Sequence, residues 1–184
     1  MRSREEIKEF LKSMNRFDGT MQQRAHAFAE FAHEGQLDKY GQEYIQHPVR
    51  VANNVDKKFN NPILTSIAFM HDVIEEGNLA TSDLMPYFPD VVWKCVDILT
   101  RRKSLGRDDY IKLVGENFLT CQIKLVDLED NMDESRITYR SEKDYTRQER
   151  YKNEYNYLFD RLREFNNRLT PEEMEPELYA ELYM

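Results

Sequence analysis

Apolar residues recur every three or four positions through most of this chain, a period that leaves little room for anything but helices. Ile7, Phe10, Leu11 and Met14 share one face of a helix over residues 4–14, which Asp18-Gly19 interrupts. Ala25, Phe28, Ala29 and Ala32 form a stripe over residues 20–34, with Thr20 as its N-cap. Residues 35–44 hold two glycines and mixed charge, so they read as a loop. Pro48 is a good first-turn residue, and a helix carrying Val51, Ala52 and Val55 is expected to begin there. Asn60-Asn61-Pro62 separates it from residues 63–76, whose apolar content predicts a central buried helix that Gly77 stops.

Further along, Thr81 or Ser82 is expected to cap a short helix, and Pro89 to open one carrying Val92, Val96 and Leu99. Helices follow over 108–115 and 118–132, then a long charged one over about 143–167. The apolar run at 120–128 has strand-like composition, but its length and the acids after it favour helix. The acidic tail after Pro171 is expected to dock as a short helix or stay mobile. The expected fold is all-α, a compact multi-helix bundle with an extra charged C-terminal segment.

With 184 residues the chain fits one domain, large enough for a core without metal or disulfide support. Cys95 and Cys121 lie in apolar surroundings and are expected as buried free thiols in a reducing cytoplasm. The first ten residues carry acids where a signal peptide needs an apolar run, so no export is expected. No stretch approaches the ~20 apolar residues of a membrane span. A net charge of −8 argues against an extended nucleic-acid partner, which exposed Lys and Arg would have to hold. It leaves a small anionic substrate open, because a metal reverses the field inside a cleft.

The chemistry concentrates in His47, His71, Asp72 and Asp127. Two histidines and two carboxylates form a mixed N/O donor set that favours Mn²⁺, Fe²⁺ or Mg²⁺ over a structural zinc cage. On a helix, His71 and Asp72 diverge by about 100°, and both still reach one lateral point. An ordinary core pair on a buried helix is the other reading. Glu75 and Glu76 follow four residues after His71 and Asp72, one turn along the same faces. Beside a metal, such acids suit orienting a water and taking its proton; otherwise they are a solvated helix end. Lys124, Asp127 and Asn131 share one face, which also reads as a solvated polar stripe. No P-loop, dinucleotide fingerprint, nucleophile elbow or zinc-type cysteine pair competes.

The chain reads A-H-E-G-Q at 32–36, G-Q-E-Y-I-Q-H-P at 41–48, H-D-V-I-E-E at 71–76 and K-L-V-D-L-E-D-N-M at 124–132. These blocks, in this order, resemble the HD hydrolase domain of the RelA/SpoT alarmone enzymes and their small single-domain relatives. The family pattern is A-H-x-G-Q, G-x-P-Y-I-x-H-P, H-D-x-x-E-D and K-L-A-D-x-x-x-N-M. The segment Asp97-Ile98-Leu99-Thr100 also looks like the family's helix ending in a threonine. The likeness covers about residues 20–135, with 136–184 as a helical extension of a single domain.

The resemblance implies metal binding by His47, His71, Asp72 and Asp127, with Mn²⁺ as the metal. It implies that Glu75 and Glu76 position and activate the hydrolytic water, and that Lys39, Lys124 and Asn131 line the substrate side. The implied reaction is removal of the 3′-pyrophosphate from guanosine tetra- or pentaphosphate by a stand-alone hydrolase without a synthetase domain. Some relatives also remove phosphate from NADPH. Another nucleotide phosphatase, a non-catalytic nucleotide sensor and a purely structural interaction protein are the alternatives.

Three positions depart from the pattern. Asp38 precedes Lys39 where the family commonly carries Arg-Lys, Glu43 replaces a proline, and Glu76 replaces an aspartate. An acid at position 38 changes the expected recognition of the base. His26 and His33 read as structural, His33 with a supporting role beside the site. Arg24 and Arg50 could pair with acids or reach phosphate. Arg101, Arg102 and Lys103 fit a helix C-terminus, with a polyphosphate site as the alternative. The tyrosines from Tyr139 to Tyr157 read as packing residues, and next as the face of a homo-oligomer.

Overall fold

Asn60 and Asn61 show how closely local chemistry sets this fold. In the computed structural model, which describes residues 2–14, 19–136 and 142–168, Asn60 ends one helix in the left-handed conformation at φ 47°. Asn61 starts the next, its side chain accepting the N–H groups of Ile63 and Leu64. Pro62 follows at the first helical position, where no N–H is needed.

The chain divides into two compact units, Met1–Leu105 and Gly106–Met184. The first contains α1 (Arg4–Ser13), α2 (Met21–His33), α3 (Gln46–Phe59), α4 (Pro62–Met70), α5 (Thr81–Leu84) and α6 (Asp90–Leu99). α4 is its centre and packs against α2, α3 and α6. Phe28, Val51, Val55, Ile67, Met70, Leu84, Val92 and Val96 are fully buried in this unit. Ser3 with Glu6, and Thr20 with Gln23, form capping boxes at the starts of α1 and α2.

The second unit contains α7 (Arg107–Val114), α8 (Phe118–Met132), a short 3₁₀ turn (Glu134–Arg136) and α9 (Glu142–Arg168). α8 packs against α7 and α9, so the motif at 124–132 belongs with the charged C-terminal helix. The apolar run at 120–128 is helix, as its length indicated. Asn117 caps α8 through the N–H groups of Leu119 and Thr120. Arg107 makes a two-pronged ion pair, both bonds 2.8 Å, with the buried Glu154 of α9. Among the described residues there is no strand, only a single bridge between Leu37 and Glu43, and no helix is long and apolar enough to cross a membrane. Cys95 and Cys121 are buried thiols outside any disulfide, and burial pushes the pKa of each up to about 12.

Three boundaries differ from expectation. The third helix starts at Gln46, two residues before Pro48, which costs nothing because N–H groups in a first turn have no intrahelical partner. The cap of α5 is not a hydroxyl of Thr81 or Ser82; the Asp83 carboxylate reaches back to the Ala80 N–H at 2.8 Å. The long helix expected over 63–76 ends at Met70, with consequences for the site described below. Tyr139 and the tail after Pro171 lie outside the described residues.

Asp83 also fastens α1, taking both guanidinium prongs of Arg4 at 2.7 and 3.0 Å. Burial works against its charge, but the Arg4 hydrogen bonds, the Ala80 N–H and the Arg4 charge outweigh it and hold the carboxyl below the usual carboxylate range. A depressed folded-state value stabilises the protein above the unfolded-state pKa, and that contribution disappears as pH falls through the folded value. Asp83→Asn is therefore expected to lower stability at neutral pH and to flatten its loss on acidification. Thermal melts across an acidic pH series check this; parallel curves for the two proteins would contradict it.

Candidate metal centre

The end of α4 is made by a side chain. His71 points Nδ1 at the Ala68 carbonyl, 2.7 Å away, occupying the acceptor that the Asp72 N–H would need to continue the helix. The Val73 N–H turns to the Met70 carbonyl instead, and residues 71–77 proceed as turns. Only a protonated Nδ1 can bond a carbonyl, so in the neutral ring the lone pair is on Nε2. One contact thus stops the helix and prepares the imidazole as a ligand.

Asp72 Oδ2 lies 3.3 Å from His71 Nε2 and 3.8 Å from His47 Nε2. The two imidazole rings are 5.2 Å apart at 74°. His47 stands in the first turn of α3, and His71 is buried at the end of α4. Two imidazole nitrogens and a carboxylate oxygen meeting in this way, with the tautomer of one imidazole fixed by a carbonyl, fit a divalent metal. The first unit therefore assembles three of the four expected ligands.

The loop blocks brace this cluster. Tyr44 donates its hydroxyl to Asp72 Oδ2 at 2.6 Å, and its ring lies 5.0 Å from His33 and 5.9 Å from His47. His33 is buried and pairs Nδ1 with Gln36 Oε1 at 3.1 Å, while Gln36 Nε2 donates to the carbonyls of Ala32 and Glu76. Burial holds the His33 ring below the ordinary histidine range, so it stays neutral near pH 7. The A-H-E-G-Q block is thereby joined to the H-D-V-I-E-E block through its glutamine.

Although α4 stops at Met70, the Glu76 N–H bonds the Asp72 carbonyl at 2.9 Å, so Glu76 still follows Asp72 by one turn. Glu75 turns toward the end of α6, where its carboxylate accepts the Arg101 N–H at 2.9 Å. Although much of Glu76 meets solvent, desolvation raises its carboxyl above the usual range, and the charges of Asp72 and Glu75 add to the effect. The basic run after α6 is largely engaged by acids, with Arg101 beside Glu75 and Arg102 bound to Asp97. His26 is half-buried, its ring 5.0 Å from that of Phe69.

Gly77 has a different task from the helix stop assigned to it. A Cβ there would meet the Val73 carbonyl oxygen at 2.5 Å and Ala32 Cβ at 2.6 Å, both inflexible. Gly77→Ala is expected to cost about 1–3 kcal/mol by overpacking the turn that carries the two glutamates. Urea denaturation checks this, and an unchanged midpoint would contradict it.

In the second unit, Asp127 is buried on α8 and held from both sides. Lys124 Nζ lies 2.7 Å from Oδ2, and Asn131 Nδ2 lies 2.5 Å from Oδ1. The polar stripe is thus an organised set centred on the buried Asp127, with Asn131 at its exposed end. In the first unit, Lys39 lies 4.7 Å from the Tyr40 ring centre. Asp38 Oδ1 accepts the N–H groups of Tyr40 and Gln42, at 2.8 and 2.9 Å, so it ties its own loop closed. An arginine, having no acceptor, could not do this.

No family model matches the chain. It is 31% identical over 102 residues to the guanosine-3′,5′-bis(diphosphate) 3′-pyrophosphohydrolase of Vibrio cholerae, covering 55% of this chain and 14% of that protein. It is 30% identical over 115 residues to the Drosophila melanogaster guanosine-3′,5′-bis(diphosphate) 3′-pyrophosphohydrolase MESH1, covering 59% of this chain and 64% of that one. The solved structure of a metazoan ortholog of SpoT that hydrolyses ppGpp superposes with a TM-score of 0.62. That match covers 80% of this chain and 88% of the ortholog at 22% identity. This chain resembles the SpoT-type hydrolases in sequence and shares their all-α HD fold. It spans only a small part of the length of the Vibrio cholerae relative.

Proposed function

We propose that this chain is a metal-dependent phosphohydrolase that removes the 3′-pyrophosphate from guanosine tetra- or pentaphosphate. The observation that carries the proposal is the convergence of His47, His71 and Asp72 on one point, in a chain similar to proteins named for that reaction. Asp127 is proposed as the fourth ligand, with residues 1–184 acting as a single hydrolase domain. The mixed nitrogen and oxygen donors favour Mn²⁺, Fe²⁺ or Mg²⁺, and the resemblance selects Mn²⁺ among them. A cytoplasmic setting and a homo-oligomeric state belong to the same reading, the first supported by the two thiols outside any disulfide.

Bound there, the metal supplies a Lewis acid for the phosphoryl group and lowers the pKa of a water. Glu75, fixed by the Arg101 N–H, orients the attacking water. Glu76, with its raised carboxyl pKa, takes the proton. Water oxygen attacks the phosphorus attached to the ribose, the bond to the 3′-oxygen breaks, and pyrophosphate and a 3′-hydroxyl result. Lys39 is proposed on the substrate side. Lys124 and Asn131 are proposed there too, acting while they hold Asp127.

Asp38 favours one second reading. An acid bound into the loop where the resemblance has a cation points to a differently held base, as in a nucleotidase or an NADPH phosphatase. A nucleotide panel with Mn²⁺ separates the two. Pyrophosphate from a 3′-pyrophosphorylated nucleotide supports the first, orthophosphate from a phosphomonoester supports the second, and turnover of neither overturns both.

A further inference from the structure

We infer that Tyr44 is a positioning residue of the metal centre, acting through its hydroxyl on Asp72. This rests on the metal reading of His47, His71 and Asp72 and deepens it. The Tyr44 hydroxyl lies 2.6 Å from Oδ2, the same oxygen that faces His71 Nε2 at 3.3 Å and His47 Nε2 at 3.8 Å. A carboxylate oxygen has two lone pairs, so one can take the tyrosine proton while the other remains for a cation. The bond also selects a rotamer of Asp72, which sits in a turn rather than inside the rigid helix that residues 63–76 were expected to form.

Tyr44 is itself held firmly. Its ring packs between His33 and His47, and its backbone N–H bonds the Gln36 carbonyl at 2.9 Å. Burial and Gln36 fix His33 in turn. The loop over residues 35–44 thus sets one metal ligand directly, in addition to carrying the chain to His47. Lys124 and Asn131 do the corresponding work for Asp127 within the second unit. Groups of this kind, behind a ligand, typically control metal affinity by about 10–100-fold.

Tyr44→Phe removes the hydroxyl and keeps the ring packing. The test is Mn²⁺ affinity without any nucleotide, by calorimetry and by the free-Mn²⁺ electron paramagnetic resonance signal, on wild type, Tyr44→Phe and Asp72→Ala. Working well below the melting transitions keeps stability out of the comparison. The expected result is about 10–100-fold weaker binding in Tyr44→Phe and no binding at this site in Asp72→Ala. Wild-type affinity in Tyr44→Phe, with binding lost in Asp72→Ala, overturns the role of Tyr44 and leaves the metal site standing. Absence of Mn²⁺ binding in the wild type overturns both.

Discussion

Asp72→Ala is expected to abolish phosphohydrolase turnover while the protein stays folded. Among the described residues Asp72 supplies the carboxylate of the first unit's cluster, and its Oδ2 is where His47, His71 and Tyr44 converge. Removing it takes from that cluster the oxygen donor that a hard divalent cation prefers, and deprives the Tyr44 hydroxyl of its acceptor. Since groups behind a ligand cost about 10–100-fold, loss of the ligand itself should exceed that range. The side chain lies at the rim of the core rather than within it, so stability should change little. Steady-state rates with Mn²⁺, beside circular dichroism and melting curves, check both halves. Turnover within tenfold of wild type would remove Asp72 from the mechanism.

Glu154→Ala is expected to produce the largest loss of stability among the substitutions considered. The carboxylate is buried on α9 and accepts both prongs of Arg107, with Arg150 a further 3.5 Å contact. Breaking a buried pair from one side typically costs 3–5 kcal/mol, because the remaining charge is left without compensation. Arg107 keeps 28% of its side chain in solvent, which places the expected cost near the low end, about 3 kcal/mol. For a chain of this size that is a fall in Tm of roughly 6–12 °C. Replacing both partners by apolar residues should recover much of the loss, since no stranded charge remains. A shift below about 2 °C would mean that α9 is held to α7 by other contacts.

Most helices were legible because their apolar period is regular and their caps are ordinary ones, such as Thr20 and Pro89. The break at Met70 was not. It comes from His71 spending Nδ1 on the Ala68 carbonyl, a competition that neither glycine nor proline marks in the sequence. The partner of Glu75, the backbone of Arg101 26 residues away, was not legible either.

The proposed ligands His47, His71 and Asp72 stood out in the sequence by their chemistry, because few side-chain types bind metals, and the structure brings the three together. Tyr44 was not, although it stands in the motif at 41–48. A tyrosine in a loop announces no role until its hydroxyl is seen to meet a carboxylate. Asp38 was legible only as a departure. Its work closing the loop over residues 38–42 depends on backbone geometry that composition does not encode.

The central claim is a metal-dependent 3′-pyrophosphohydrolase, and product analysis tests it most directly. Guanosine 3′,5′-bis(diphosphate) is incubated with metal-stripped protein, with and without added Mn²⁺, and the phosphate products are counted. The expected result is one pyrophosphate and one guanosine 5′-diphosphate per substrate consumed, only when Mn²⁺ is present. Equal turnover in the stripped protein, or an intact substrate in both, would contradict the account.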